Sequence, residues 1–104
     1  MVRMSVYYPS EPGVTFDHAY YTSTHRQLVE DKLGPLGLKR VEIERGVCGL
    51  GGGPAPHVAV GHLIFDSMES LQKAMDARGP EVIADIPRYT NIQPVVQISE
   101  IVAG

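Results

Sequence analysis

The chain carries one cysteine, Cys48, and no apolar run approaching the roughly 20 residues that a bilayer-spanning helix needs. A single thiol excludes an internal disulfide and any multi-cysteine zinc or iron–sulfur site. Such a thiol reacts only beside a group that lowers its pKa, and a plain loop cysteine is the expectation in so glycine-rich a stretch. The N-terminus lacks the charged and then apolar layout of a secretory signal, which points to a cytoplasmic protein and away from the membrane. Basic residues are scarce: 9 Lys and Arg stand against 12 Asp and Glu, a net charge of -3. That balance offers no positive face for a phosphate backbone and argues against nucleic acid as a partner. Gly49-Leu50-Gly51-Gly52-Gly53 lacks the following Lys and Ser/Thr of a phosphate-binding loop. Histidines 18, 25, 57 and 62 form no HxxxH or HExxH pair, and His57 and His62 point to opposite faces of one strand, so neither metal nor other cofactor is expected. No Gly-x-Ser-x-Gly elbow is present to support serine hydrolase chemistry.

What is there suits one domain spanning residues 1–104, with 43% hydrophobic and 20% charged residues. At this length folding buries about two-thirds of the unfolded chain's surface, so any sizeable pocket must be open or shared between subunits. Val2, Met4, Val6 and Tyr8 alternate with Arg3, Ser5 and Tyr7, the period-two pattern of a strand closed by Pro9. Asp17 is an N-cap, with Phe16 and Tyr21 placed as a hydrophobic staple, for a helix from His18 toward Leu33. Its apolar spacing shifts after His25, which predicts a kink or a second short helix, and Gly34-Pro35 ends it. Leu38 to Arg45 is a charged strand suited to a sheet edge, Gly46 to Pro56 a flexible hairpin loop, and His57 to Phe65 an apolar central strand. Asp66-Ser67 starts a second helix with Leu71, Ala74 and Met75 as its core stripe and Gly79 as C-cap. The last strand, Ile92 to Val102, contains Pro94 and so belongs at an edge.

The order βαββαβ with the second and fourth strands outermost predicts an α+β, ferredoxin-like fold with an antiparallel sheet. Two helices cover one face of that sheet, yet apolar residues occur on both parities of three strands. A homodimer with two sheets face to face is therefore expected, with Ser5, Tyr7, Gln93 and Gln97 lining the remaining space.

Asp17, Tyr21 and His25 fall at i, i+4 and i+8 of the first helix, along one side. Imidazole moves protons near neutral pH and a phenol donates to a developing oxyanion, so His25 and Tyr21 are the catalytic candidates. Asp17 and Tyr21 also have structural explanations, as cap and staple, whereas His25 has none. Tyr20 reads as core. His62, inside an apolar strand, is either a hydrogen-bonded core histidine or a ligand contact. Tyr7, Asp17, His62, Tyr89 and Gln97 complete the ligand-binding set.

The residues also carry a family pattern: Tyr8-Pro9, Phe16-Asp17 with Tyr20-Tyr21 and His25, a Gly-rich loop, Gly61-His62, Ile86-Pro87, and Tyr89-Thr90-Asn91-Ile92-Gln93-Pro94. Over essentially its whole length the chain resembles the EthD family, named for ethyl tert-butyl ether degradation, within the wider group of dimeric α/β barrel proteins. The resemblance implies pairing as a dimeric α/β barrel and a place in degradative oxidation. The wider group includes cofactor-free isomerases, dehydratases, decarboxylases and monooxygenases as well as haem-dependent relatives. A chain this short lacks the large apolar chamber that haem would need. The resulting expectation is a small hydrophobic organic ligand, either converted by cofactor-free proton transfer through His25 or held by an accessory protein that serves an oxidising partner enzyme.

Overall fold

Alternating side chains and two amphipathic helical stretches build the expected plan. In the computed structural model, which describes residues 1–104, β1 (Val2–Pro9) is followed by α1 (His18–Tyr20), a π-helical turn (Tyr21–His25) and α2 (Arg26–Leu33) without a break. Then come β2 (Leu38–Arg45), β3 (His57–Phe65), α3 (Met68–Ala84) and β4 (Val95–Glu100), with 3-10 turns at Gly34–Leu36 and Ile86–Arg88. The antiparallel sheet has the order β2-β3-β1-β4, so the two edges are those marked by charge and proline. This is the α+β ferredoxin-like arrangement. No helix is long and apolar enough to cross a membrane.

The shift in apolar spacing within the first helical stretch has a definite cause. The Arg26 amide reaches the carbonyl of Tyr21, five residues back, so the turn holds one extra residue. Tyr21 and His25 thereby both face inward, followed by Val29 and Leu33, while Thr22, Ser23 and Thr24 stay in water. The hydroxyls of Thr22 and Ser23 bond the carbonyls of His18 (2.8 Å) and Ala19 (2.6 Å), supplying donors where the backbone pairing changes. The predicted kink after His25 is this widened turn, and it ends at His25.

Two expected boundaries need correction. Gly79 does not cap α3, which runs on to Ala84 with Pro80 inside it. Pro80 removes one helical hydrogen bond, but Val82 beyond it is buried in the core, and that burial keeps the chain helical. Gly79 lies inside the helix against Met75, whose mobile side-chain end is the nearest group to it. The last strand begins at Val95, so Pro94 precedes it rather than interrupting it. The Thr90 Oγ1 bonds the amide of Ile92 (3.0 Å), and Ile92 is buried among aromatic rings, which holds this stretch in the turn.

Strand register decides what faces the helices. Met4 pairs with Leu63, Val6 with Gly61 and Tyr8 with Ala59 on the covered side, whereas Ser5 pairs with His62 and Gln97 on the other. The core has two centres: one around Leu33, Phe65, Leu71 and Ala74 that is aliphatic apart from Phe65, and a tyrosine-rich one around Tyr8, Tyr21, Tyr89 and Ile92. Contrary to the expected apolar open face, the uncovered side is largely polar. Ser5 Oγ meets His62 Nδ1 at 2.8 Å, His62 Nε2 meets Glu44 at 3.2 Å, and Gln97 bonds Ser99 at 3.0 Å. Exposed apolar groups gather on β4, at Val95, Val96 and Ile98.

Leu33 is fully buried at the end of α2, and Leu50 is fully exposed in the hairpin loop. Leu33→Ala is expected to cost about 2–5 kcal/mol in urea unfolding, and Leu50→Ala less than about 0.5 kcal/mol, which tests the placement of both segments.

Candidate active site

Between the helices and the covered face of the sheet lies a cavity of about 290 Å³, lined by 18 residues of which 13 are hydrophobic. Met4, Val6, Leu63, Val29, Met75 and Val82 form much of its wall, and the exposed Arg26, Ile83, Gln93 and Val96 form its rim. The polar groups that reach it are few: Tyr8, Tyr21, His25, Arg26 and Gln93.

His25, on the last residue of the π turn, is buried and sits with Nδ1 2.9 Å from Asp85 Oδ2. Asp85, in the turn that follows α3, is itself largely enclosed, and its second oxygen accepts from the Tyr20 hydroxyl at 2.9 Å. Because a carboxylate only accepts, the His25 hydrogen resides on Nδ1 and the lone pair on Nε2. Nε2 lies 3.4 Å from the Tyr89 hydroxyl, which in turn lies 2.6 Å from the Tyr8 hydroxyl. The rings of Tyr21 and His25 stack at 5.6 Å with 24° between their planes. Tyr21 lies directly over Gly61, where a Cβ would collide with its hydroxyl.

Burial pushes the His25 pKa below the ordinary histidine value, and the bonded, negatively charged Asp85 opposes that shift without overcoming it. The imidazole is therefore a neutral base at physiological pH. Burial also pushes the phenols of Tyr8, Tyr21 and Tyr89 far above their ordinary range, so all three keep their protons. The arrangement is a neutral imidazole held in one tautomer by a carboxylate, beside protonated phenols and an apolar chamber. It suits taking a proton from a bound molecule and donating a hydrogen bond to the charge that develops.

The structure brings together His25, Tyr21 and Tyr89. It does not bring Asp17, whose Oδ1 caps α1 by accepting from the Tyr20 amide at 3.0 Å. The acid that meets His25 is Asp85 instead. Tyr7, His62 and Gln97 lie on the opposite face of the sheet and do not reach the cavity. His62 is a hydrogen-bonded histidine there, tied to Ser5 and Glu44. Tyr20, read as core, spends its hydroxyl on Asp85. Asp85 and Tyr8 were missed as site residues. Ending α3 at Gly79 hid the first, whose sole sequence signal is its position before Ile86-Pro87, and strand alternation absorbed the second.

Two tests follow from this geometry. An unfolded histidine takes its proton near pH 6.5, whereas folded His25 resists it to lower pH, so stability falls as pH drops below about 6.5 and down to the folded value. His18 is shifted in the same direction by its own burial. The His25 contribution is thus the difference between wild type and His25→Gln, and the variant should show a flatter acid limb in pH-dependent thermal unfolding. Gly61→Ala should displace Tyr21 at a cost of about 1–3 kcal/mol, read by denaturant titration and by altered ring shifts of His25 in NMR spectra.

Scanned against protein-family models and against curated proteins, the chain finds no match. Solved structures do match. An EthD-like protein from Ralstonia eutropha JMP134 superposes with a TM-score of 0.89 at 40% identity, over 98% of this chain and 92% of that one. An EthD family protein from Bacillus halodurans C-125 follows at 0.74 and 24% identity, over 96% of this chain and 97% of that one. A dimeric ferredoxin-like protein from an uncultured marine organism, at 0.57 and 13% identity over 100% and 97% of the two chains, shares the fold. With two-fifths of its residues identical to those of an EthD-like protein over nearly the full length of both chains, the protein belongs to the EthD family.

Proposed function

We propose that the protein binds a small hydrophobic organic compound in the cleft between helices and sheet and converts it by proton transfer without a cofactor. His25 is the base, Asp85 the residue that positions it, the phenols of Tyr8 and Tyr21 are the donors, and the Tyr89 hydroxyl links Tyr8 to His25. The observation that carries this reading is the His25–Asp85 pair at 2.9 Å, facing a cavity otherwise walled by apolar side chains. Nε2 is also loosely engaged: its 3.4 Å bond to Tyr89 is the longest in the chain of polar contacts and the first a ligand would displace.

The apolar lining supports a second reading, in which the cleft stores or delivers a hydrophobic metabolite to an oxidising enzyme and His25 only orients it. We further propose that two copies pair through their open sheet faces, with Tyr7, His62 and Gln97 between them. Support comes from Val95, exposed beside Tyr7 on that face, and from the dimeric ferredoxin-like neighbour.

Native mass spectrometry of protein isolated from its own host is expected to show two subunits and a co-isolated small molecule. A monomer at micromolar concentration in sedimentation would overturn the pairing. With that molecule as substrate, His25→Gln should lose about 10² to 10⁴ in turnover while keeping its affinity, and Asp85→Asn should lose turnover with the pH profile displaced. Weakened binding with no reaction to lose would favour the storage role.

A further inference from the structure

The polar groups of the cleft restrict what its ligand is. No cation lies within the chamber for an anionic ligand: Arg26 stands on the rim, exposed to water that screens its charge. An ammonium ligand fares no better, because both oxygens of Asp85 are engaged, by His25 and by Tyr20. A pure hydrocarbon would fill the chamber without using any of its polar groups. What the chamber offers is one lone pair, on His25 Nε2, and one hydroxyl in its wall whose proton has a choice of direction. Either oxygen of the 2.6 Å Tyr8–Tyr89 contact serves as donor. When Tyr8 donates to Tyr89 and Tyr89 to His25, the lone pair is occupied and Tyr8 offers no hydrogen to the cavity. When Tyr89 instead donates to Tyr8, the Tyr8 O–H is released toward the cavity it lines, and the lone pair of Nε2 is released with it. One reorientation uncovers the base and the donor together.

We propose that the ligand is a small uncharged carbonyl compound, a ketone, aldehyde or enone, whose oxygen accepts from Tyr8 and whose adjacent C–H is offered to His25. This rests on the proton-transfer reading above and names its substrate class. The reaction balances without a co-reactant. The C–H electron pair becomes the carbon–carbon double bond as Nε2 takes the proton, and the carbonyl π pair moves to oxygen, which takes the Tyr8 proton. Tyr8 is refilled from Tyr89, and Tyr89 from the new Nε2–H. The net change is a proton moved from carbon to oxygen, an enolisation, with the protein returned to its starting state. Burial keeps both phenols protonated, so Tyr8 and Tyr89 each hold a hydrogen to pass along.

The test uses the full chain and three probes of similar size: acetophenone, benzoate and ethylbenzene. Titrations followed by amide NMR should show acetophenone binding about tenfold or more tightly than either of the others, one hydrogen bond's worth of preference. Tyr8→Phe, checked for folding by circular dichroism, should lose the preference over ethylbenzene, and where that variant does not fold the wild-type ranking alone carries the test. Benzoate or ethylbenzene binding as tightly as acetophenone would overturn the carbonyl assignment. Exchange of the acetophenone methyl protons in D2O, followed by proton NMR, should be accelerated by wild type and not by His25→Gln. Selective binding without such acceleration would leave the ligand class standing and overturn proton transfer itself.

Discussion

Tyr21 lies against the bare backbone of Gly61, and that close approach determines how near the first helical stretch comes to the sheet. From it the rest of the cleft follows. The stacked ring of His25 is carried inward behind Tyr21, where it meets Asp85 arriving from the far side of α3. Tyr8 and Phe16 meet Tyr21 edge to face and Tyr89 packs on it at a 30° tilt, with ring centroids 5.0 to 5.5 Å apart. Such contacts favour a fixed geometry as well as burial, so one cluster joins β1, the π turn and the segment before β4 into a rigid wall.

Stability and chemistry compete at this wall. A buried imidazole and buried phenols are costly unless hydrogen-bonded, and the chain of contacts from Tyr20 through Asp85, His25 and Tyr89 to Tyr8 meets that need for His25, Tyr89 and Tyr8 with groups from three separate parts of the sequence. The π turn belongs to the same compromise. It gives up regular helical pairing over one turn so that Tyr21 and His25 share a face with Val29 and Leu33, and widened turns of this kind recur at functional sites.

Much of the fold was legible because it depends on local rules. Alternation located β1 and β2, a nearly unbroken apolar run located β3, charge marked β2 as an edge, and Asp17 and Ser67 marked helix starts that the structure confirms through their caps. The errors occurred where distant packing outweighs local preference. Gly79-Pro80 is a stop signal that burial of Val82 overrides, and the turn before β4 is held by Thr90 and Ile92 rather than by strand propensity. The candidate site was half legible. His25 stood out because nothing local explained it, and Tyr21 lay one turn before it. Asp85 is 60 residues from His25, and no periodicity connects them.

By itself, then, the sequence determined the strand and helix order, the two sheet edges and a lone unexplained histidine, since these follow from side-chain period, caps and charge. Only the tertiary structure decided which residues that histidine meets. A one-residue step along a strand reverses the face, so Tyr8 enters the cavity while Tyr7, its neighbour, is turned to the other side with His62 and Gln97. The partner carboxylate is likewise a matter of chain folding. Asp17 is close to His25 in sequence and is spent on a cap, while Asp85 is remote and is brought within 2.9 Å by the packing of α3 against α2 and the sheet.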